Sequence, residues 1–256
     1  MSMYNRRQFL NSVPAAGVIR PLWDAQRPNR PPIKAVVFDG FAIFDARPVF
    51  SLIDEVFPEK GRELTGLWRA RQFEYMWLRS LSRRYRDFLS VTADSLIFAA
   101  NALRVELTPA NRARVMAAWL QLPCWPDVVT SLRELRDGGL RIGFLSNMSG
   151  KMLEAGIRNC GLDGLFDHAL STDRVRTYKP DPRAYRMGID AFRLRREEIA
   201  FAAAAGWDAA GAKSFGYQTF WVNRKNEPAE ELGAGEIANG ANLSDLAVHL
   251  RVAKGS

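Results

Sequence analysis

The chain has 256 residues, 47% of them hydrophobic and 25% charged, an ordinary globular composition with ample length for a full core. No stretch reaches the roughly 20 apolar residues of a membrane span, and Cys124 and Cys160 have neither metal-type spacing nor the pattern of a disulfide framework. The net charge of +8 comes mostly from arginines scattered along the chain, without a basic block or nucleic-acid motif, and suits small anionic ligands.

Residues 1–32 read as leader and linker. NRRQFL at 5–10 pairs two arginines with Phe-Leu, in the manner of a twin-arginine export signal. The apolar VPAAGVI that follows is short and holds a proline, and Arg20 interrupts what comes next. A periplasmic destination and an unstructured cytoplasmic leader both stay open. RPNRPP at 27–32 reads as the linker, so the fold starts at Ile33.

The run IKAVVF (33–38) predicts a buried strand that ends on Asp39. A short loop follows, then a region to residue 122 with helical spacing and no evident strand. Leu64, Leu67, Trp68, Tyr75 and Leu78 recur on one helix face. Residues 86–105 and 108–122 read the same way, the latter with Thr108 as N-cap and Pro109 at the first helical position. Downstream, helices are predicted at 124–140, closed by Gly138-Gly139, and at 151–162, 182–192 and 208–215. RIGFLSN, DHALS, IAFAAA and QTFWVN read as strands between them. This alternation predicts an α/β fold with a mainly parallel sheet, built from 33–46 and 123–256, with a helical insert at 47–122. Ligands bind such sheets at the carboxyl ends of the strands.

Four polar signals stand at predicted strand ends: Asp39, Ser146-Asn147, Lys179 and Asp208. Each has a plain reading, as helix cap, turn former or solvated loop residue. Their joint occurrence in one α/β pattern argues for a shared site.

Here the sequence resembles the L-2-haloacid dehalogenases of the haloacid dehalogenase superfamily, over residues 33 to about 225. The resemblance rests on VVFDGFAIFD, LWRARQFEYMWLRSL, FLSNMS, YKPDPRAY and GWDAAGAKSFGYQTFWVNR. It implies a Rossmann-like core with the insert as a helical cap. Matched by position, Asp39 is the nucleophile and Arg69 the cap arginine that receives halide. Ser146 is the hydroxyl that holds the substrate carboxylate, with Asn147 beside it. Lys179 supports the nucleophile and Asp208 activates water. Phe41, Phe73, Phe88 and Trp207 fall where the family lines its apolar pocket, although plain packing would place aromatics there too. The resemblance implies no cofactor and no metal; the partner is a small haloacid anion, with no nucleic acid or membrane, and related enzymes are often homodimers.

The chemistry suits these residue types. A carboxylate displaces halide from saturated carbon to form an ester, which water then cleaves. Lys179 supplies opposite charge to Asp39, and Arg69 offers several donors to a departing anion. A magnesium-dependent phosphatase of the same superfamily wants a second aspartate two residues after the nucleophile, where Phe41 stands. It also wants an acid just before Asp208, where Ala202–Ala205 stand.

The chain departs from the family pattern as well. Ala42-Ile43 replace a Gly-Thr pair in a loop one residue shorter. Ala203 and Ala205 replace a serine and an asparagine that orient substrate and water. Each lost hydrogen bond to a charged group is worth roughly 1.5–3 kcal/mol, so these losses bear on rate. A catalytically weakened or silent ligand-binding member therefore stands as the alternative to an active dehalogenase.

Overall fold

A strand covered by helices on both faces must be apolar on both, and residues 35–38 meet that demand. The computed structural model describes residues 31–254, so the expected leader and most of the linker lie outside the described residues. Strand β1 (Ala35–Phe38) is fully buried within a six-stranded parallel sheet. Its companions are β2 (Arg141–Ser146), β3 (His168–Ser171), β4 (Ile199–Ala203), β5 (Gln218–Val222) and β6 (Ala238–Gly240). The order is β3-β2-β1-β4-β5-β6, with Phe38 in register with Phe144 of β2 and Ala202 of β4.

The connection order reverses at β1. β2 and β3 lie on one side, and the chain then crosses to build β4, β5 and β6 on the other. Such a reversal opens a crevice at the carboxyl ends of the central strands. Asp39 leaves β1 at that point, its N–H donating to Ala202 O at 2.9 Å.

Successive residues of β1 face opposite layers. Val36 and Phe38 pack with α6 (Val128–Asp137), α7 (Gly150–Asn159) and α10 (Leu243–Lys254). Ala35 and Val37 pack with α8 (Pro182–Phe192) and α9 (Gly206–Phe215). Each fully buried Val or Phe contributes about 1.5–3 kcal/mol, so β1 is firmly anchored.

Between β1 and β2 the chain makes α1 (Gly40–Ile43), α2 (Arg47–Val56), α3 (Gly61–Leu81), α4 (Phe88–Leu103) and α5 (Pro109–Ala118). α2 to α5 pack chiefly on one another, with Leu64, Trp68 and Met76 of α3 buried among Phe88, Val91 and Leu96 of α4. Thr108 caps α5 through its hydroxyl, which accepts from Asn111 N, and Pro109 follows at the first position. The two crossovers between these helices and the sheet are tied together. Phe44 pairs with Cys124 in an antiparallel bridge, Asp45 N donates to Pro123 O at 2.8 Å, and Trp125 N donates to Ile43 O at 3.0 Å. From Pro31 onward the chain forms one compact unit.

The structure corrects several local expectations. The loop after Asp39 is the helical turn α1, because the Asp39 side chain caps it by accepting from Phe41 N. Helix α9 starts two residues earlier than expected, at Gly206, so Asp208 lies in its first turn and Ala205 is the N-cap. The cap of α7 is Ser149, which frees Ser146 and Asn147 from that duty. α2, β6 and α10 are absent from the sequence reading. β6 is three residues, Ala-Asn-Gly, held by β5 and carrying no apolar alternation of its own.

Candidate active site

The end of β1 sets the place of Asp39. Asp39 is 8% exposed; its Oδ2 accepts from Phe41 N at 3.0 Å and its Oδ1 accepts from Lys179 Nζ at 2.9 Å. Lys179 Nζ also donates to Asp208 Oδ2 at 2.6 Å. Lys179 reaches this place on the connection from β3 to α8, where its own N–H donates to Asn147 Oδ1 at 2.9 Å. Asn147 follows β2 directly, so the carboxyl end of that strand positions the lysine backbone. The Tyr185 hydroxyl, in the first turn of α8, donates to Asp208 Oδ1 at 2.7 Å. Four side chains from three sequence regions thus form one line: Asp39, Lys179, Asp208, Tyr185.

Burial decides their electrostatics. Lys179 and Asp208 are each 1% exposed. Burial works against the Lys179 ammonium, but Asp208 and Asp39 outweigh it and hold its pKa above the ordinary lysine value. Burial pushes Asp208 up to about 6, against the pull of Lys179 and the Tyr185 hydrogen bond and with the help of the Asp39 charge. Burial, then Asp208, push the Tyr185 phenol well above its usual range, so it stays protonated and donates.

Gly40 shows how closely β1 and β2 approach at this end. Its N–H donates to Ser146 Oγ at 3.3 Å, and a Cβ there would stand 2.6 Å from Met148 Sδ. Only glycine fits that gap. Ser146 Oγ also accepts from Met148 N at 3.1 Å. Ser146 is fully buried and, like Lys179, lies outside the lining of the cavity described next. It binds two backbone N–H groups at the site's edge.

A cavity of about 370 Å³ opens over Asp39 and Asp208. Phe41, Phe73, Phe88 and Trp207 line it, with Asn147 and Arg69. Its aromatics are packed edge to face, Phe73 against Trp207 at 5.9 Å and Phe88 against Trp119 at 5.9 Å. Arg69 and Phe73 stand four apart on α3 and share a face. The Arg69 guanidinium lies 5.1 Å from the ring centroids of both Phe50 and Phe73, and Nη1 donates to Gln72 Oε1 at 3.1 Å. Among the described residues no carboxylate pairs with Arg69. Burial pulls it down to about 10, so it remains a cation at neutral pH. A half-buried cation without a carboxylate partner on a cavity wall calls for an anion.

α3 also meets the sheet end directly, since Trp77 Nε1 donates to Lys179 O at 3.3 Å and the Trp77 ring stands 5.6 Å from Trp207. Of the two alanines that depart from the family pattern, Ala203 is buried in the layer with Tyr185 and Phe201, while Ala205 lines the cavity. Among the described residues no group of three or more His, Cys, Asp or Glu is placed to hold a metal.

The structure therefore brings Asp39, Lys179, Asp208, Asn147, Arg69 and the four aromatics to one place. Sequence reasoning missed Tyr185, Phe50 and Trp125. Tyr185 closes the string YKPDPRAY, six residues after Lys179, and that fixed offset from a candidate lysine was the available signal. Phe50 belongs to the unread α2, and Trp125 lies just past the return crossover.

Comparison with known proteins agrees with this geometry. The haloacid dehalogenase-like hydrolase family model matches residues 33–216. The (S)-2-haloacid dehalogenase of Pseudomonas sp. strain YL is 42% identical over 202 residues, 78% of this chain and 87% of that protein. The crystal structure of the L-2-haloacid dehalogenase RSc1362 superimposes with a TM-score of 0.84 at 39% identity, covering 86% of this chain and 100% of that one. The L-2-haloacid dehalogenase from Xanthobacter autotrophicus with chloropropionic acid covalently bound gives a TM-score of 0.77 at 32% identity, covering 86% and 98%. With its sheet order, its four-residue polar line and these likenesses, the chain belongs to the haloacid dehalogenase-like hydrolases.

Proposed function

We propose that the protein hydrolyses the carbon–halogen bond of a short 2-haloacid or haloacetate, giving a hydroxy acid and halide. The observation that carries this reading is the Lys179 ammonium shared between Asp39 and Asp208 beside a cavity that holds an unpaired Arg69. In this reading residues 47–122 act as the cap that closes on the substrate. Asp39 attacks the halogen-bearing carbon, and the new C–O bond forms as the carbon–halogen bond breaks. Halide leaves toward Arg69. Asn147 Oδ1 is already engaged by Lys179 N, which leaves its Nδ2 to donate to the substrate carboxylate. Asp208 then takes a proton from water, which attacks the side-chain carbonyl carbon of the Asp39 ester. The hydroxy acid departs and the carboxylate is restored. The dehalogenase with covalently bound chloropropionic acid supports the ester by analogy.

The test is halide release from a panel of haloacids, beside a generic phosphatase substrate and with a strong chelator present. Release that survives chelation is expected. Phosphatase turnover abolished by chelator and restored by magnesium would replace this reading, and no turnover of any substrate would favour the silent alternative raised by Ala205.

Arg69→Ala should lower turnover by about 10²–10³-fold while the fold persists. A half-buried cation without a carboxylate partner costs folding free energy, so its removal spares stability apart from lost packing of its stem. Equal losses in activity and in urea midpoint would assign Arg69 a packing role instead.

The pH profile follows from Asp208. As a base it works deprotonated, so turnover should rise with pH through about 6 and fall away below it. Tyr185→Phe removes a hydrogen bond that favours the charged carboxylate and should move that limb to higher pH. A limb unmoved by this change would remove Asp208 as its source.

A further inference from the structure

Cys124 and Cys160 are distant in sequence, yet the fold brings them together. Cys124 sits on the return crossover, bridged to Phe44. The Phe44 ring lies against Gly156 of α7, where an added Cβ would meet it at 2.5 Å. Cys160 stands four residues after Gly156, on the same helix face, as the C-cap of α7. Its Sγ donates toward Leu122 O at 3.8 Å, and Asn159 Nδ2 donates to Leu120 O at 2.8 Å. The end of α7 is thus laid along residues 120–122, two residues before Cys124. Both thiols are free and half-buried, open to a small oxidant. Burial, then the adjacent Cys124 thiol, push the Cys160 thiol up to about 12.

We propose that Cys124 and Cys160 are a disulfide-forming pair that staples the return crossover of the helical insert to the end of α7. With a disulfide oxidant the exchange balances. One cysteine thiolate attacks the oxidant's S–S bond, forms a mixed disulfide and releases one thiol. The second cysteine displaces the other half, so one S–S bond breaks and one forms. Two protons and two electrons pass from the cysteines to the two released thiols. Thiolate is the attacking species, so the high value at Cys160 makes the exchange faster as pH rises. The twin-arginine-like string at residues 5–10, if it acts, delivers the chain to an oxidising compartment where such bonds persist.

The test treats the folded full chain with oxidised glutathione at mildly alkaline pH, then counts thiols and maps peptides. The expected product has both thiols lost, a mass lower by two hydrogens, and one peptide linking residues 124 and 160 within a single chain. Its Tm should rise by roughly 5–10 °C and return on reduction. Cys160→Ser should instead keep a glutathionyl adduct on Cys124 and show no rise. Lasting adducts on both wild-type cysteines, links between chains, or an unchanged thiol count would overturn the proposal. None of these readouts depends on dehalogenation, so the two readings fail separately.

Discussion

Asp39→Asn should reduce turnover by about 10⁴–10⁶-fold, the scale seen when a covalent nucleophile is removed. An amide is a poor nucleophile but close in shape to the carboxylate, and its single oxygen can accept from either Phe41 N or Lys179 Nζ, which in Asp39 reach different oxygens. The fold should therefore be kept. Loss of the Asp39 charge removes one of the causes that raise Asp208 and also one of the two carboxylates that favour the buried Lys179 ammonium, so the two effects on stability oppose each other. Asparagine before Gly40 is prone to hydrolyse back to aspartate, so Asp39→Ala is the companion variant. Residual activity that grows with storage in the first and is absent in the second identifies that reversion. Substantial turnover in Asp39→Ala would exclude Asp39 as nucleophile.

Lys179→Met carries the second large effect, and it falls on stability as well as on rate. The lysine is buried between Asp39 and Asp208 and makes a hydrogen bond to each. Removing one partner of a buried ion pair costs about 3–5 kcal/mol, because the remaining charge keeps its desolvation penalty. The sign of its pH dependence follows from Asp208, whose folded pKa already lies above that of an unfolded carboxylate and rises further without the ammonium. The native state then holds its proton more tightly than the unfolded state, so stability falls as pH rises. The deficit against wild type should be larger at pH 8 than at pH 5.5. Turnover should fall by several decades. Urea unfolding that shows the same deficit at both pH values would mean the carboxylates do not feel the lysine.

The parts of this site that were legible in the sequence share a physical reason. Asp39 follows a strand that is apolar on both faces, and Lys179 and Asp208 belong to short strings whose polar residues interrupt apolar or proline-bounded runs. The five strands read from apolar runs are all present, because burial on both faces leaves an unbroken signature. The remainder depends on tertiary placement. Asp39 looks like a plain helix cap, and it is one, but the same carboxylate also meets Lys179 from 140 residues away. Ser146 reads as a substrate hydroxyl, and the fold adds two backbone N–H groups that donate to its oxygen and leave its own hydrogen to donate elsewhere. Tyr185 reads as an apolar helix residue, and only the juxtaposition of α8 with α9 shows its hydroxyl on Asp208. The offset from Lys179 singles out the residue, but no local pattern names its partner. The loss of polar side chains at Ala203 and Ala205 likewise changes meaning once one lies in the core layer and the other on the cavity wall.

The central claim is that the Asp39 carboxylate itself bonds to substrate carbon. A single turnover of a 2-haloacid in heavy-oxygen water, with enzyme in excess, tests it most directly. The attacking oxygen comes from Asp39 and water enters later at the ester carbonyl, so the label should appear in the Asp39 side chain while the hydroxy acid stays unlabelled. Label in the hydroxy acid on that first turnover, with Asp39 unlabelled, would show that water attacks the substrate and would contradict the covalent account.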